Sequence, residues 1–153
     1  MVNWLRSIVY AIRQRIQPGE APSSSGASGV SSLRTVVLVG HCGPDMFMLK
    51  TAVGRALPGA SIVFANDDDA LSEYRTADSL LLVNRELDGG FDSSSGIELI
   101  QQLIQQDNPP VVMLISNYED AQQEAIAAGA TLGFGKTQLY NQSTTQLLRE
   151  AAS

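Results

Sequence analysis

Five short apolar runs recur between residues 33 and 153, and each is followed by a stretch with helical spacing. The runs are residues 35–40, 61–64, 79–83, 110–115 and 131–134. They are too short for helices, carry several β-branched residues, and lie close to Gly, Pro, Asn or Asp, so each is predicted as a strand. Residues 46–57 put Met46, Leu49, Val53 and Leu57 on one helical face, and Pro58 and Gly59 end the pattern. Residues 67–77 are predicted helical, with Asp67 or Asp68 as the cap. Residues 97–106 align Ile97, Ile100, Leu103 and Ile104; residues 121–128 form a small-residue helix closed by Gly129; residues 140–152 carry Leu147 and Leu148.

Apolar strands alternating with amphipathic helices need cover on both faces, which a parallel sheet between two helix layers supplies. Crossovers between such strands are right-handed. The predicted class is therefore α/β: a (βα)5 doubly wound, three-layer, flavodoxin-like domain with sheet order 2-1-3-4-5. A site in such a fold is expected at the carboxyl ends of the strands, here residues 40–44, 84–95, 116–118 and 135–137.

Composition removes several functions. One cysteine, Cys42, allows no internal disulfide and no cysteine-rich zinc site, and one histidine, His41, allows no histidine-rich metal cluster. No metal site and no cofactor are expected. No apolar run approaches the roughly 20 residues needed to span a bilayer. A net charge of −6 argues against nucleic acid as a partner.

The charge is uneven. Residues 1–32 carry three arginines and one glutamate, a net +2, whereas residues 33–153 carry seven bases and fifteen acids, a net −8. Residues 1–17 are predicted to be an amphipathic helix, with Trp4, Leu5, Ile8, Val9, Ile12 and Ile16 in one stripe. Residues 18–32, rich in Ser, Gly and Pro, are predicted to be a linker. A lone helix of this length is marginal in water, so its stripe needs a surface. That surface is its own domain or a second copy, a partner's groove, or a membrane, unless the segment is a targeting peptide. The chain is expected in the cytoplasm, with membrane contact, if any, through this helix.

Four segments of the domain, taken in order, resemble the receiver domains of response regulators. Residues 36–44, VVLVGHCGP, have the frame of the first receiver strand; residues 80–87, LLLVNREL, look like the third strand and its loop. Residues 110–116, PVVMLIS, look like the fourth, and residues 128–136, AGATLGFGK, are similar to the segment that ends in the receiver lysine. The resemblance spans residues 33–153.

In receivers an acid pair after strand 1 binds Mg²⁺, an aspartate ending strand 3 takes the phosphoryl group, and a Ser or Thr and a lysine complete the site. By resemblance the acid pair falls on His41 and Cys42 and the acceptor on Asn84. The hydroxyl position falls on Leu114 without a gap, or on Ser116 with a two-residue shift. The lysine is Lys136. Acceptance of a phosphoryl group needs an anionic oxygen and a metal beside it. An amide is a poor nucleophile, and a nitrogen–sulfur pair is a poor Mg²⁺ site. The resemblance thus implies a pseudo-receiver that is neither phosphorylated by the usual route nor an enzyme. Lys136 is then expected to hydrogen-bond the side-chain carbonyl of Asn84 or nearby loop carbonyls.

Such a domain would act as a fixed protein–protein interaction module in signalling, able to form a homodimer. Its output is expected from a partner or from the head, because the sequence ends with the fifth helix. The resemblance puts the partner face on helix 4, strand 5 and helix 5, through Gln122, Gln123, Ile126, Phe134, Leu139, Tyr140 and Leu147. Two alternatives remain open. One is an atypical acceptor, Asp88 or Asp92, in the long loop after strand 3; the other is thiol chemistry or redox sensing at Cys42.

Overall fold

The computed structural model describes residues 33–153, and the predicted helix over residues 1–17 and the linker over 18–32 lie outside the described residues. The apolar runs form β1 (Thr35–Val39), β2 (Ile62–Ala65), β3 (Ser79–Asn84), β4 (Val111–Ile115) and β5 (Thr131–Phe134). Together they make one parallel sheet in the order β2-β1-β3-β4-β5, as predicted.

Successive side chains in a strand point to opposite faces, and here both faces are buried. Val36, Leu38, Leu80, Leu82, Met113, Ile115 and Phe134 face one helix layer. That layer is α1 (Gly43–Ala56) and α5 (Gln142–Ala152), which contribute Leu49, Val53, Leu148 and Ala152. Val37, Val39, Leu81, Val83, Val112 and Leu114 face the other, where α2 (Asp68–Ser72), α3 (Gly96–Ile104) and α4 (Glu119–Ala127) supply Leu71, Leu99, Ile100, Leu103 and Ala125. Burial on both sides is why these strands read as continuous apolar runs.

Helix bounds differ from the predicted ones where caps outweigh spacing. α1 begins at Gly43, three residues early, because Pro44 fits a first turn that lacks amide partners. α2 stops at Ser72 rather than residue 77, and Arg75 beyond it pairs with Asp68 at 3.1 Å. Asp67 is its cap, accepting from the Ala70 amide at 2.7 Å. No helix among the described residues is long and apolar enough to cross a membrane.

The strand pairing has one irregularity, and a buried side chain repairs it. β4 and β5 pair at Met113 with Thr131 and at Ile115 with Phe134, with a register shift between. The amide of Gln122 fills that gap: it donates to Leu114 O at 2.9 Å and Ser116 O at 3.1 Å, and accepts from Gly133 N at 3.2 Å.

Candidate functional site

The carboxyl edge of the sheet gathers the ends of β1, β3, β4 and β5. Immediately after β1 the chain turns at Gly40, whose φ of 72° favours glycine. This turn aims His41 inward, and its ring is wholly buried. Its Nε2–H donates to Leu82 O at 2.8 Å, leaving Nδ1 buried without a partner. Burial is the main reason its pKa falls from 6.5 to about 4, and the charge of Lys136 adds to the fall. The imidazole is therefore neutral at pH 7 and acts as a structural strut under the site. Cys42 caps α1 and is half-buried, and no hydrogen bond among the described residues joins it to His41.

Asn84 ends β3. Its Nδ2 donates to Gly40 O at 3.1 Å and to Glu86 O at 2.8 Å, tying β3 to the turn after β1. Lys136, just past β5, pairs with Asp45 in the first turn of α1. That contact corrects the expectation that Lys136 would meet Asn84 or loop carbonyls. Lys136 holds the Asp45 carboxyl below the usual carboxylate range, with partial burial opposing and the Cys42 thiol assisting.

The two candidates for the hydroxyl position lie in different surroundings. Leu114 lies within β4, fully buried in the core, whereas Ser116 follows the strand and borders a cavity of about 160 Å³ with Asn84, Glu86, Asn117 and Lys136. The Ser116 hydroxyl accepts from Tyr118 N at 3.1 Å. The rim is cross-linked on two sides. Arg85, paired with Glu86 at 3.1 Å, lies over the Tyr118 ring at 4.8 Å. Asn117 Oδ1 accepts from Thr137 Oγ1 at 3.1 Å.

The long loop after β3 leaves this cavity for the β2 side. Asp88 N donates to Gly40 O, Gly90 N to Asn66 O, and Asp92 N to Asp68 Oδ2 at 2.8 Å. Gly89 sits at φ 115° with its α-carbon against Asn66 O, where a β-carbon would come within 2.0 Å. Asp88 and Asp92 are exposed, and neither borders the cavity that holds Asn84, Ser116 and Lys136.

These residues do not fit Mg²⁺, the metal that the resemblance implies. The nitrogen His41 presents to the protein is held by Leu82, the carboxylate of Asp45 by Lys136, and the amide of Asn84 points its hydrogens at carbonyls. Among the described residues no three His, Cys, Asp or Glu side chains gather to hold a metal.

The predicted partner face comes apart. Gln122 is buried in the β4–β5 repair, Phe134 and Leu139 are core residues at 2% and 4% exposure, and Tyr140 lies beside Arg55 of α1. Gln123, Ile126, Tyr140 and the partly buried Leu147 remain near the surface, joined by Leu132 on β5, which the sequence reading missed. A groove of about 450 Å³ runs past Gln123, Leu132 and Leu147.

No family model and no curated protein matches the chain. Solved structures do. The signal receiver domain of a DNA-binding response regulator from Colwellia psychrerythraea matches at a TM-score of 0.57 and 16% identity, over 76% of this chain and 98% of that one. A response regulator receiver domain from Rhodospirillum rubrum matches at 0.50 and 16%, over 74% and 90%. The phosphorylated cyanobacterial phytochrome response regulator RcpA matches at 0.50 and 16%, over 78% and 89%. Residues 33–153 thus share the fold of response-regulator receiver domains.

Proposed function

We propose that residues 33–153 act as a pseudo-receiver: a protein-interaction module of signal transduction that phosphorylation does not switch. The single observation that carries this reading is the internal satisfaction of the carboxyl edge. Where the fold would put an anionic acceptor, Asn84 donates to two carbonyls, and the lysine that would meet a phosphoryl group is neutralised by Asp45. An amide offers no anionic oxygen for attack, and an ammonium already paired with a carboxylate has less attraction left for an anion.

The loop ties support a fixed conformation. Asn117 with Thr137 and Arg85 with Tyr118 link the very loops that would have to move in a switch. The loop acids fit the competing reading poorly, because neither borders the cavity that holds Asn84, Ser116 and Lys136, and Asp92 is tied to Asp68 instead. A thiol enzyme at Cys42 fits poorly, since the His41 ring is wholly buried and no hydrogen bond among the described residues joins it to Cys42. Partners would be signalling proteins, with the groove past Gln123, Leu132 and Leu147 as one place for contact.

The test is an amide NMR spectrum of the full chain with and without Mg²⁺ and beryllium fluoride, a phosphoryl mimic for carboxylates. The expected result is no shift at residues 84–88, 116–118 or 136–137. Saturable shifts there would overturn the reading.

A further inference from the structure

The outer face of α1 differs from those of the other helices. Its inner face, Leu49, Ala52, Val53 and Ala56, is in the core. Its outer face still carries large apolar groups: Phe47 is 73% exposed and Met48 40%. Phe64 on β2, at 45%, and Tyr140, at 58%, extend that apolar surface to either side. The outer faces of α3 and α4 carry instead Gln101, Gln102, Glu119 and Glu124.

The charge on this face is also of one sign. Past Asp45, which is held by Lys136, α1 carries Lys50 and Arg55 and no acid. Lys50 lies over the Phe64 ring at 5.8 Å and Arg55 over the Tyr140 ring at 5.4 Å. Arg149 of α5 joins them, donating to Ala56 O at 3.1 Å at the end of α1. Ion pairs among the described residues engage Arg75, Arg85 and Lys136 but none of these three cations. Lys50, Arg55 and Arg149 are thus three of the seven bases of residues 33–153, gathered at α1 without an ion pair among the described residues.

We propose that this face, from Phe47 along α1 to Arg55 and flanked by Phe64 and Tyr140, docks an acid-rich amphipathic helix of a partner protein. The partner's apolar stripe covers the exposed rings, and its carboxylates meet Lys50, Arg55 and Arg149. α1 is 14 residues long, about 21 Å, enough to seat roughly four turns of a helix. Gly54 lowers the relief near the end of α1, with open space where its side chain would be. A flat anionic bilayer fits less well, because residues 33–153 carry a net charge of −8, whereas a single helix meets this face alone. The inference does not depend on whether the carboxyl edge is phosphorylated.

The test is an NMR titration of the full chain with three probes. They are a synthetic Glu-rich peptide with Leu at i, i+3, i+4 and i+7, the same peptide with Lys for Glu, and vesicles of phosphatidylcholine with phosphatidylserine. The Glu peptide is expected to give saturable shifts over residues 47–55, 62–65 and 140. Affinity should fall at least tenfold in the K50E/R55E double variant and in Phe47→Ser, both at exposed positions that leave the core intact. The Lys peptide should give no saturable shifts. Absence of saturation, shifts centred elsewhere, equal binding of both peptides, or binding of vesicles in preference to the Glu peptide would each overturn the proposal.

Discussion

Two surfaces of this domain carry cations, and they treat them in opposite ways. At the carboxyl edge Lys136 and Arg85 each have a carboxylate partner, and the Asn84 amide has two carbonyls. On the outer face of α1, Lys50 and Arg55 lie over aromatic rings and have no ion pair among the described residues, with Phe47 and Met48 exposed. A site that has satisfied its own polar groups gains little from a small charged ligand. A surface that leaves apolar area and cations uncovered gains from a partner that covers both. The comparison locates recognition on the helix face and rigidity at the sheet edge.

The largest expected effect comes from His41, which lies beneath the edge. Its folded pKa, about 4, is below the unfolded value of 6.5. The unfolded chain therefore binds the extra proton first as pH falls, so stability is full above pH 6.5 and declines as pH drops toward 4. The loss is about 3 kcal/mol over that window, from 1.36 kcal/mol per pKa unit. Urea unfolding at several pH values should show this slope, and His41→Phe should flatten it. An unchanged slope in that variant would break the account of a neutral buried strut.

The next effect tests the edge's rigidity. Gln122→Ala leaves Leu114 O, Ser116 O and Gly133 N without this partner, at a cost of about 2–3 kcal/mol in urea unfolding. A loss below about 0.5 kcal/mol would mean that water replaces the amide without penalty.

Smaller still is Asp45→Asn. The pair with Lys136 is part-exposed, so stability should fall by no more than about 1 kcal/mol. Its value is in sharpening the comparison, because the freed ammonium then resembles Lys50 and Arg55. Inorganic sulfate titrated into this variant should shift the residue 136 amide, and should shift it less in the parent chain. Equal shifts would show that Asp45 does not neutralise the site.

Fold and site were legible to different degrees, for physical reasons. The central strands, buried on both faces, leave uninterrupted apolar runs, so the strands could be read directly and their order followed from the expected fold class. Helix bounds were less visible, since the early start at Gly43 is favoured by Pro44, which does not alter apolar spacing. At the site, Asn84 and Lys136 stood at strand ends and were found. Asp45 was missed because the predicted helix began one residue after it and its partner lies 91 residues away. Gln122 was taken for a surface amide, since the shifted β4–β5 register that buries it leaves no mark in hydrophobic pattern.

The most direct test of the central claim, that the carboxyl edge is chemically silent, is the intact mass of the full chain after incubation with acetyl phosphate and Mg²⁺. The account predicts no added phosphoryl group in the parent chain, nor in Asn84→Asp, because His41 and Cys42 still offer no oxygen ligands for the metal. One added phosphoryl group in the parent chain, lost in the D88N/D92N double variant, would contradict it and identify a loop acid as the acceptor.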